Sequence, residues 1–525
     1  MTKQETTTTE DLGVDTDQDA SSIVKEVYRG TSADKHDMDV LGVRQVLRRN
    51  YRLVPMLGFS SIAVISWEIA PILLLFALID GGPAAVFWGL VIGAVGFSLV
   101  YASLAEVASM FPTSGGQASI CRLLFQRDRE LTARSIPQYH WVSELAPPSI
   151  QRGLSYSVGW LIVIAWQVYL AGSSLVVGIV IQGLIALNNP DYSFERWHCT
   201  LLTIAASGFA VVMNTALASR LPIIQYLLFA LHFGGIFAIV IPLWLTAEHG
   251  NATDVLLKFS DNGNWGNVGL SSMIGLVLFA GLLNGYDCIA HMSYNVMTLF
   301  IIGTALIFCL GDVDSLINTR TGQPFIQLFY NATQSYAGTS VMAAILVVLV
   351  ECCVINEVAT SSRQLWSFAR DRGLPGSTWL SYVAPGWDIP LRAVCLTVFI
   401  TALLSLINLG STVALNAINS LGGVSFLFSY VITLVCLVWR RVRGAPLPPR
   451  RWSLGKYGLA INLLALAFLV PILFFYCWPL AQPVTALNLN WSSVAFCCVL
   501  LAALIHYVIK ARHEYVGPVM RVKRA

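Results

Sequence analysis

A carboxylate lies inside an apolar stretch near the beginning of the chain. Glu68 falls within residues 53–78, which are long enough to cross a bilayer, and it directly follows Ser66 and Trp67. A charge near the centre of a membrane helix costs about 2.5–3.5 kcal/mol on insertion scales, so it needs a cavity or a partner. The Glu68 carboxylate could bind an ammonium group or a coupling proton, with Trp67 as a cation–π wall beside it. The alternative is a structural carboxylate bonded to nearby backbone, next to a tryptophan that only packs.

Two more pairs of ionisable residues fall in apolar stretches. Asp287 and His291 are four residues apart, so on a helix they share one face. Because histidine titrates near neutral pH, this pair could relay a proton; the alternative is a capping aspartate and a histidine near the inner end of a span. Glu351 and Glu357 lie in a later stretch, where their six-residue spacing turns them about 120° apart on a helix. They either tune a polar cavity or reflect drift of the sequence.

The chain lacks the motifs of several other function classes. Its eight histidines show no metal-ligand spacing, and neither a G-x-S-x-G nucleophile string nor a P-loop string is present. Nearly all of its eleven cysteines lie in apolar runs, as small packing residues do. The sequence therefore predicts no enzyme, no ATP-driven pump, and no metal, cofactor or nucleic-acid partner.

The candidate ionisable residues lie in apolar stretches that are predicted to form helices. Of the 525 residues, 56% are hydrophobic and 12% are charged, whereas about 25% of the residues in soluble domains are charged. A span of about 20 apolar residues crosses a bilayer core. We therefore predict an all-α polytopic membrane protein with about 12 transmembrane helices in the lipid bilayer. The predicted spans are residues 53–79, 84–108, 154–187, 197–217, 222–246, 268–296, 297–311, 339–367, 391–409, 412–438, 457–478 and 487–510.

The loops divide by charge, which predicts the orientation. Basic residues concentrate in the loops that follow even-numbered spans and beside the membrane in both tails, and the positive-inside rule places these segments in the cytosol. The predicted regions are a disordered cytosolic tail at 1–50, a transmembrane domain at 51–510 and a cytosolic tail at 511–525. The opposite loops hold three N-x-S/T sequons, which are glycosylation candidates at Asn251, Asn331 and Asn490.

Several strings of residues carry a family resemblance. They are MLGFSSIAVISWE at 56–68, YASLAEVASMFPTSGGQ at 101–117 resumed by QYHWVSELAPP at 138–148, NPDYSFERWH at 189–198, NGYDCIAHMS at 284–293 and SSRQLWSFARDRGLPGSTWLS at 361–381. These strings resemble the amino acid–polyamine–organocation (APC) superfamily. They are more closely similar to its fungal amino acid/choline permeases, which include GABA and choline carriers.

The resemblance implies a fold and a site. Members have the LeuT/APC-type 5+5 inverted repeat, in which spans 1 and 6 are broken at mid-membrane and spans 11 and 12 are added. Unwound backbone at the breaks offers free N–H and C=O groups, and the half-helix dipoles suit a carboxylate on one side and a cation on the other. By position, residues 66–68 form the first break and residues 281–287 the second. The implied substrate-binding residues are Ser66, Trp67, Glu68, Asn284, Gly285 and Asp287, and the proton-coupling candidates are Glu68, Asp287 and His291.

Charged positions near the inner side of the bundle also resemble the family. Glu106 lies at the inner end of span 2, where a gate or a structural ion pair is favoured over a substrate contact. Arg363, Arg370 and Asp371 lie at the inner end of span 8 and are interpreted as gate architecture. The Pro-rich basic loop at residues 440–451 is interpreted as an orienting linker.

Two features depart from the family pattern. Residues 118–137 separate two strings that are contiguous in the family, which predicts a loop insertion. Span 7, at residues 297–311, is shorter than the roughly 20 residues that a bilayer needs. The resemblance implies a secondary active transporter of amino acids or related small amines such as GABA or choline, coupled to protons, in the plasma membrane. The short span 7 leaves a non-transporting sensor or an inactive paralogue as the alternative.

Overall fold

The computed structural model of the chain describes residues 65–110, 138–217, 220–284, 292–383, 389–410, 414–450, 452–486 and 488–517. Every named element of secondary structure within these ranges is a helix. Nine of the described helices are long and apolar enough to cross a membrane, and three shorter apolar helices fill the other predicted spans. The prediction of an all-α polytopic membrane protein is therefore confirmed.

The helices follow one another along the chain in the order that the apolar stretches predict. They are α1 Ala70–Ile79, α2 Gly82–Met110, α3 Tyr139–Leu145, α4 Gln151–Asn188, α5 Arg196–Thr215, α6 Leu221–Thr246, α7 Ala252–Leu257, α8 Val268–Ala280, α9 Met292–Phe308, α10 Val313–Ile317, α11 Pro324–Thr333, α12 Tyr336–Arg370, α13 Ser377–Leu380, α14 Leu391–Ser405, α15 Ile407–Gly410, α16 Ala414–Val442, α17 Gly458–Tyr476, α18 Ser492–His506 and α19 Arg512–Glu514. Spans 1 to 12 correspond in order to α1, α2, α4, α5, α6, α8, α9, α12, α14, α16, α17 and α18. The predicted tail at 1–50 and the predicted insertion at 118–137 lie outside the described residues.

The described helices divide into a buried core and a periphery. The most apolar part of α4 is 78% buried inside the protein, whereas the corresponding part of the last span is only 11% buried. The core helix α4 packs against α12, α16 and α5. A Cβ atom at Gly178 of α4 would lie 2.8 Å from the Cys199 carbonyl oxygen of α5, so only glycine allows this close approach. The central position of α4 brings its polar side chains next to the candidate site.

Spans that an inverted repeat relates to each other lie side by side. Helix α1 packs against α8, and α4 packs against α12. These are the pairs formed by spans 1 and 6 and by spans 3 and 8, which have equivalent positions in the two halves of a 5+5 repeat. The packing therefore agrees with the architecture that the family resemblance implies.

Helices α8 and α9 are both short for membrane spans. With its final 3-10 turn, Gly281–Leu283, α8 rises about 24 Å, and α9 rises about 26 Å, whereas a bilayer core is about 30 Å thick. The predicted boundary between spans 6 and 7, at residues 296 and 297, is wrong, because the single helix Met292–Phe308 runs through it. Span 7 therefore begins five residues earlier than predicted, yet it stays short. The residues between Asn284 and Met292 lie outside the described ranges.

The loops that carry the sequons gather at one end of the bundle. The Gly250 N–H donates to the Phe308 carbonyl at 2.8 Å, which joins the loop after α6 to the end of α9. The Gln482 N–H donates to the Gly263 carbonyl at 2.8 Å, which joins the loop after α17 to the loop before α8. We call this the sequon end, and the arginine-rich loops lie at the opposite, basic end.

A buried aspartate ties several elements together at the sequon end. Asp80 lies in the turn between α1 and α2, outside the membrane-spanning segments, and its side chain is fully buried. Its Oδ1 accepts hydrogen bonds from the Ser271 hydroxyl at 2.9 Å and from the Trp265 indole N–H at 3.1 Å. Burial raises the pKa of Asp80 from 3.8 to about 7, although the two donors oppose the rise. This turn therefore changes charge near neutral pH.

Candidate substrate site

The five described residues before α1, residues 65–69, are not helical. Ser66, Trp67 and Glu68 form a bend and a turn, and the helix begins at Ala70 with Pro71 in its first turn. Proline suits the first turn because the N–H group that it lacks would have no partner inside the helix. All three residues before the helix are fully buried. The polar break predicted for span 1 therefore lies at the unwound beginning of α1, inside the protein.

Glu68 has a partner that the sequence analysis did not select. Its Oε1 lies 2.5 Å from Nδ1 of His232 on α6, and both side chains are 0% exposed. The Trp67 ring also packs near this histidine, with 5.8 Å between the ring centroids. His232 is the only histidine within the apolar sequence of α6. A lone histidine in an apolar helix is the signal in the sequence that could have identified this partner.

The Glu68 carboxylate is close to a polar group on α12. The Cys353 thiol forms a hydrogen bond with the backbone of Ile65 and lies within electrostatic range of Glu68. The same thiol donates to the carboxylate of Glu357, one helical turn further along α12. These contacts place α12 directly against the break before α1.

The end of α8 approaches the same region through α4. The Asn284 side-chain N–H₂ donates to the Tyr169 hydroxyl at 3.3 Å, and Tyr169 lies within electrostatic range of Glu357. The Tyr101 hydroxyl of α2 donates to the Leu283 carbonyl at 2.7 Å, which fixes the 3-10 turn that precedes Asn284. The structure thus brings Asn284 towards the residues around Glu68. Gly285, Asp287 and His291, also predicted to act here, lie outside the described residues.

Buried polar atoms without hydrogen-bond partners surround this region. Such atoms are costly in a protein interior unless a ligand or water satisfies them. Among the described residues of this site, the atoms of this kind include Ser66 Oγ, Trp67 Nε1, Glu68 Oε2, Asn284 Oδ1 and Glu357 Oε2. Carboxylate and amide oxygens can accept hydrogen bonds from an ammonium group, and the indole face can pack against it. The arrangement fits a small, positively charged ligand group.

Glu106 forms an ion network at the basic end of the bundle. Its fully buried carboxylate pairs with Arg441 and lies 3.0 Å from Arg450 Nε. It also accepts hydrogen bonds from the Ser453 hydroxyl at 3.3 Å and the Leu454 N–H at 3.2 Å. All four partners come from the end of α16 or the linker after it. The basic linker after α16, which the sequence analysis interprets as an orienting segment, therefore also connects α16 and α17 to α2.

Asp371 joins three segments at the same basic end. Its Oδ2 accepts a hydrogen bond from the Tyr139 hydroxyl of α3 at 2.5 Å, and its carbonyl accepts one from the Val516 N–H at 3.2 Å. Burial raises the pKa of Tyr139 well above its usual value, and the nearby Asp371 carboxylate is the second cause of this rise. Arg370 packs over the Trp366 ring, 5.0 Å from its centroid, whereas Arg363 is exposed. The chain therefore remains packed against the bundle beyond residue 511, where the sequence analysis begins the tail.

The three sequons differ in their exposure. Asn251 and Asn331 are exposed at the sequon end. Asn490 is only 2% exposed, and its side-chain N–H₂ donates to the Ser420 hydroxyl and to the carbonyls of Tyr476 and Trp478. A glycan on that nitrogen would remove these hydrogen bonds. We therefore retain Asn251 and Asn331 as the glycosylation candidates.

Comparison with known proteins identifies the family. The family model described as amino acid permease matches residues 56–504. The chain belongs to the amino acid permease family. The predicted resemblance to the APC superfamily is therefore confirmed, and this permease is a transport-family protein rather than an enzyme.

Relatives from several fungi match this permease over most of their length. A candidate amino acid/polyamine transporter of Macrophomina phaseolina is 28% identical over 84% of this chain and 97% of its own. The choline transporter of Saccharomyces cerevisiae is 26% identical over 89% of this chain and 83% of its own. Amino-acid permease 2 of Neurospora crassa is 25% identical over 94% of this chain and 90% of its own. The similarity thus extends over the whole bundle rather than over one motif.

Proposed function

We propose that this permease is a secondary active transporter that moves an amino acid or a related small amine, such as GABA or choline, by alternating access. The proposal rests on the Glu68–His232 pair, which is buried at the unwound beginning of α1. An ionisable pair in a membrane-embedded break is costly unless it binds a substrate or an ion. The family of the chain supports transport of a small molecule. We assign substrate contacts to Ser66, Trp67, Glu68 and Asn284, and to Gly285 and Asp287 from the sequence.

Proton coupling is part of this proposal. Histidine titrates near neutral pH, and the proton between His232 and Glu68 can move when a substrate ammonium approaches the carboxylate. Arrival of the cation then releases the proton, and its departure restores the pair. Asp287 and His291 remain further coupling candidates on the basis of their spacing.

The proposed gate lies at one end of the bundle. At the basic end, Glu106 with Arg441, and Asp371 with Tyr139, connect helices that alternating access must separate or rotate. We place this end and both termini in the cytosol, with the exposed sequons outside, and we propose the plasma membrane as the location. Arginine-rich loops at one end and sequons at the other support this orientation.

Uptake of labelled substrates tests the proposal. Cells that lack their own carriers, or proteoliposomes, should accumulate GABA, choline or an amino acid above a control, and dissipating the proton gradient should abolish the accumulation. Glu68→Ala should reduce uptake by roughly tenfold or more, because loss of one close charge contact costs more than about 1.4 kcal/mol. Glu248→Ala, at an exposed position, is the control and should retain activity. Full activity of Glu68→Ala would exclude the proposed site.

A non-transporting sensor or inactive paralogue is the second candidate. The observation that favours it is the length of α8 and α9, since both helices rise less than the thickness of the bilayer core. Sequencing the cDNA shows whether residues 118–137 persist and whether a longer segment follows Ser293. Substrate binding without uptake by the chain as given, together with uptake by a longer form, would support this candidate.

A further inference from the structure

A second buried carboxylate lies on α12 close to the candidate substrate site. The Glu357 side chain is 4% exposed, and its carboxylate accepts hydrogen bonds from the Ser173 hydroxyl and the Cys353 thiol. In the part of the chain that the structure describes, its Oε2 has no hydrogen-bond partner, and no basic side chain forms an ion pair with it. The mechanism proposed above leaves this carboxylate unused.

Cys353 connects this carboxylate to the break before α1. Its thiol donates to Glu357 and is also bonded to the backbone of Ile65, while the Glu68 carboxylate lies within electrostatic range. Cys353 and Glu357 are one helical turn apart and therefore face the same way from α12. Two carboxylates, from α12 and from the break, thus border one thiol.

Aromatic surface is present beside both carboxylates. Tyr169 lies one turn before Ser173 on α4, within electrostatic range of Glu357. Trp67 directly precedes Glu68 and is fully buried. Carboxylates and aromatic faces together are the groups that recognise primary and quaternary ammonium ions.

The two carboxylates differ in their side-chain partners. Glu68 has His232 at 2.5 Å, whereas the hydrogen-bond donors to Glu357 are an uncharged hydroxyl and an uncharged thiol. A buried carboxylate without a cation is unfavourable, so a bound cation stabilises it. A zwitterion would bring a third carboxylate towards these two, and like charges at short distance repel each other.

We propose that this site binds an organic cation that has no carboxylate group, and that Glu357 is the residue that selects it over a zwitterion. The ammonium group lies between Glu68 and Glu357, next to the aromatic surface of Trp67 and Tyr169. This inference rests on the proposed function, because it places the ligand in the same site. It concerns binding, however, and can be tested without transport.

Equilibrium binding to the purified full chain tests the inference. Choline serves as the cation and GABA as the zwitterion, and calorimetry gives both dissociation constants. Wild-type protein should bind choline at least about tenfold more tightly than GABA, because a close charge contact contributes more than about 1.4 kcal/mol. Glu357→Gln removes the charge and keeps the shape, so it should weaken choline binding by about tenfold or more while GABA binding changes less than about threefold.

Glu351→Gln is the matched control. It makes the same chemical change on the same helix, but six residues away, so the side chain points about 120° from Glu357. This variant should bind both ligands as the wild type does. Glu357→Asp retains the charge and should retain the preference for choline. If Glu357→Gln does not fold, the comparison of the two ligands on the wild type still tests the preference for a cation. Retention of that preference in Glu357→Asp then replaces its loss in Glu357→Gln as the test of the residue.

Several results would overturn the inference. They are equal or tighter binding of GABA by the wild type, absence of choline binding, and equal losses in Glu357→Gln and Glu351→Gln. Choline binding with the expected losses, but without uptake, would reject the proposed transport and leave the inference standing. Uptake of GABA without a preference for choline would support the proposed transport and reject the inference.

Discussion

The Glu68–His232 pair couples the beginning of α1 to α6, and a double-mutant cycle can measure the strength of this coupling. Both side chains are 0% exposed, and Oε1 and Nδ1 are 2.5 Å apart. Removing one partner of a buried pair costs about 3–5 kcal/mol, because the other partner remains buried and uncompensated. We therefore expect Glu68→Ala and His232→Ala each to lower the free energy of unfolding by about 3–5 kcal/mol.

The double variant should cost less than the sum of the two single variants, because neither polar group is then left without its partner. We expect an interaction energy of about 1–3 kcal/mol, the range found for residues in direct contact. Part of the loss will remain in the double variant, since the Trp67 ring packs against His232 and loses that contact whenever His232 is replaced.

Reversible unfolding of the purified chain in mixed micelles, followed by tryptophan fluorescence, gives the four free energies. His249→Ala is the matched control, since His249 is exposed in the loop after α6, and its free energy should stay within about 0.5 kcal/mol of the wild type. Additive losses in the cycle would refute the coupling. So would equal effects of His232→Ala and His249→Ala.

Two further predictions concern the ends of the bundle. Glu106→Gln leaves Arg441 without its carboxylate partner, so the free energy of unfolding should fall by about 3 kcal/mol. Adding Arg441→Gln should restore part of that free energy. A loss under about 0.5 kcal/mol in Glu106→Gln would contradict the buried network. Asp80, whose pKa burial raises from 3.8 to about 7, stabilises the fold fully only when protonated, so the unfolding temperature should decline as pH rises from 4 to 8. Asp80→Asn should flatten that decline, while its amide oxygen can still accept the hydrogen bond from the Ser271 hydroxyl. If the unfolding temperature of this variant still declined with pH as in the wild type, the role of the Asp80 carboxyl would be refuted.

Local properties of the chain were enough to predict the helices. Each span is long and apolar, which depends only on composition and on the thickness of the bilayer. The boundary between spans 6 and 7 was wrong, because the polar residues at 284–295 were all assigned to span 6, whereas α9 begins among them at Met292. The tail predicted from residue 511 onwards includes Tyr515, which is fully buried, because packing of an isolated aromatic residue cannot be read from charge.

The sequence by itself placed the Glu68 carboxylate in a predicted membrane span, with Ser66 and Trp67 beside it in a predicted break. It also placed the basic residues and the sequons in opposite sets of loops. Only the tertiary structure decided that His232 pairs with Glu68, that Ser173 and Cys353 lie beside Glu357, and that the linker after α16 binds Glu106. The physical reason is that helices which are apolar on every side carry almost no periodic signal. Their rotation, and therefore the partner of each polar side chain, is set by packing between segments that are far apart in the chain.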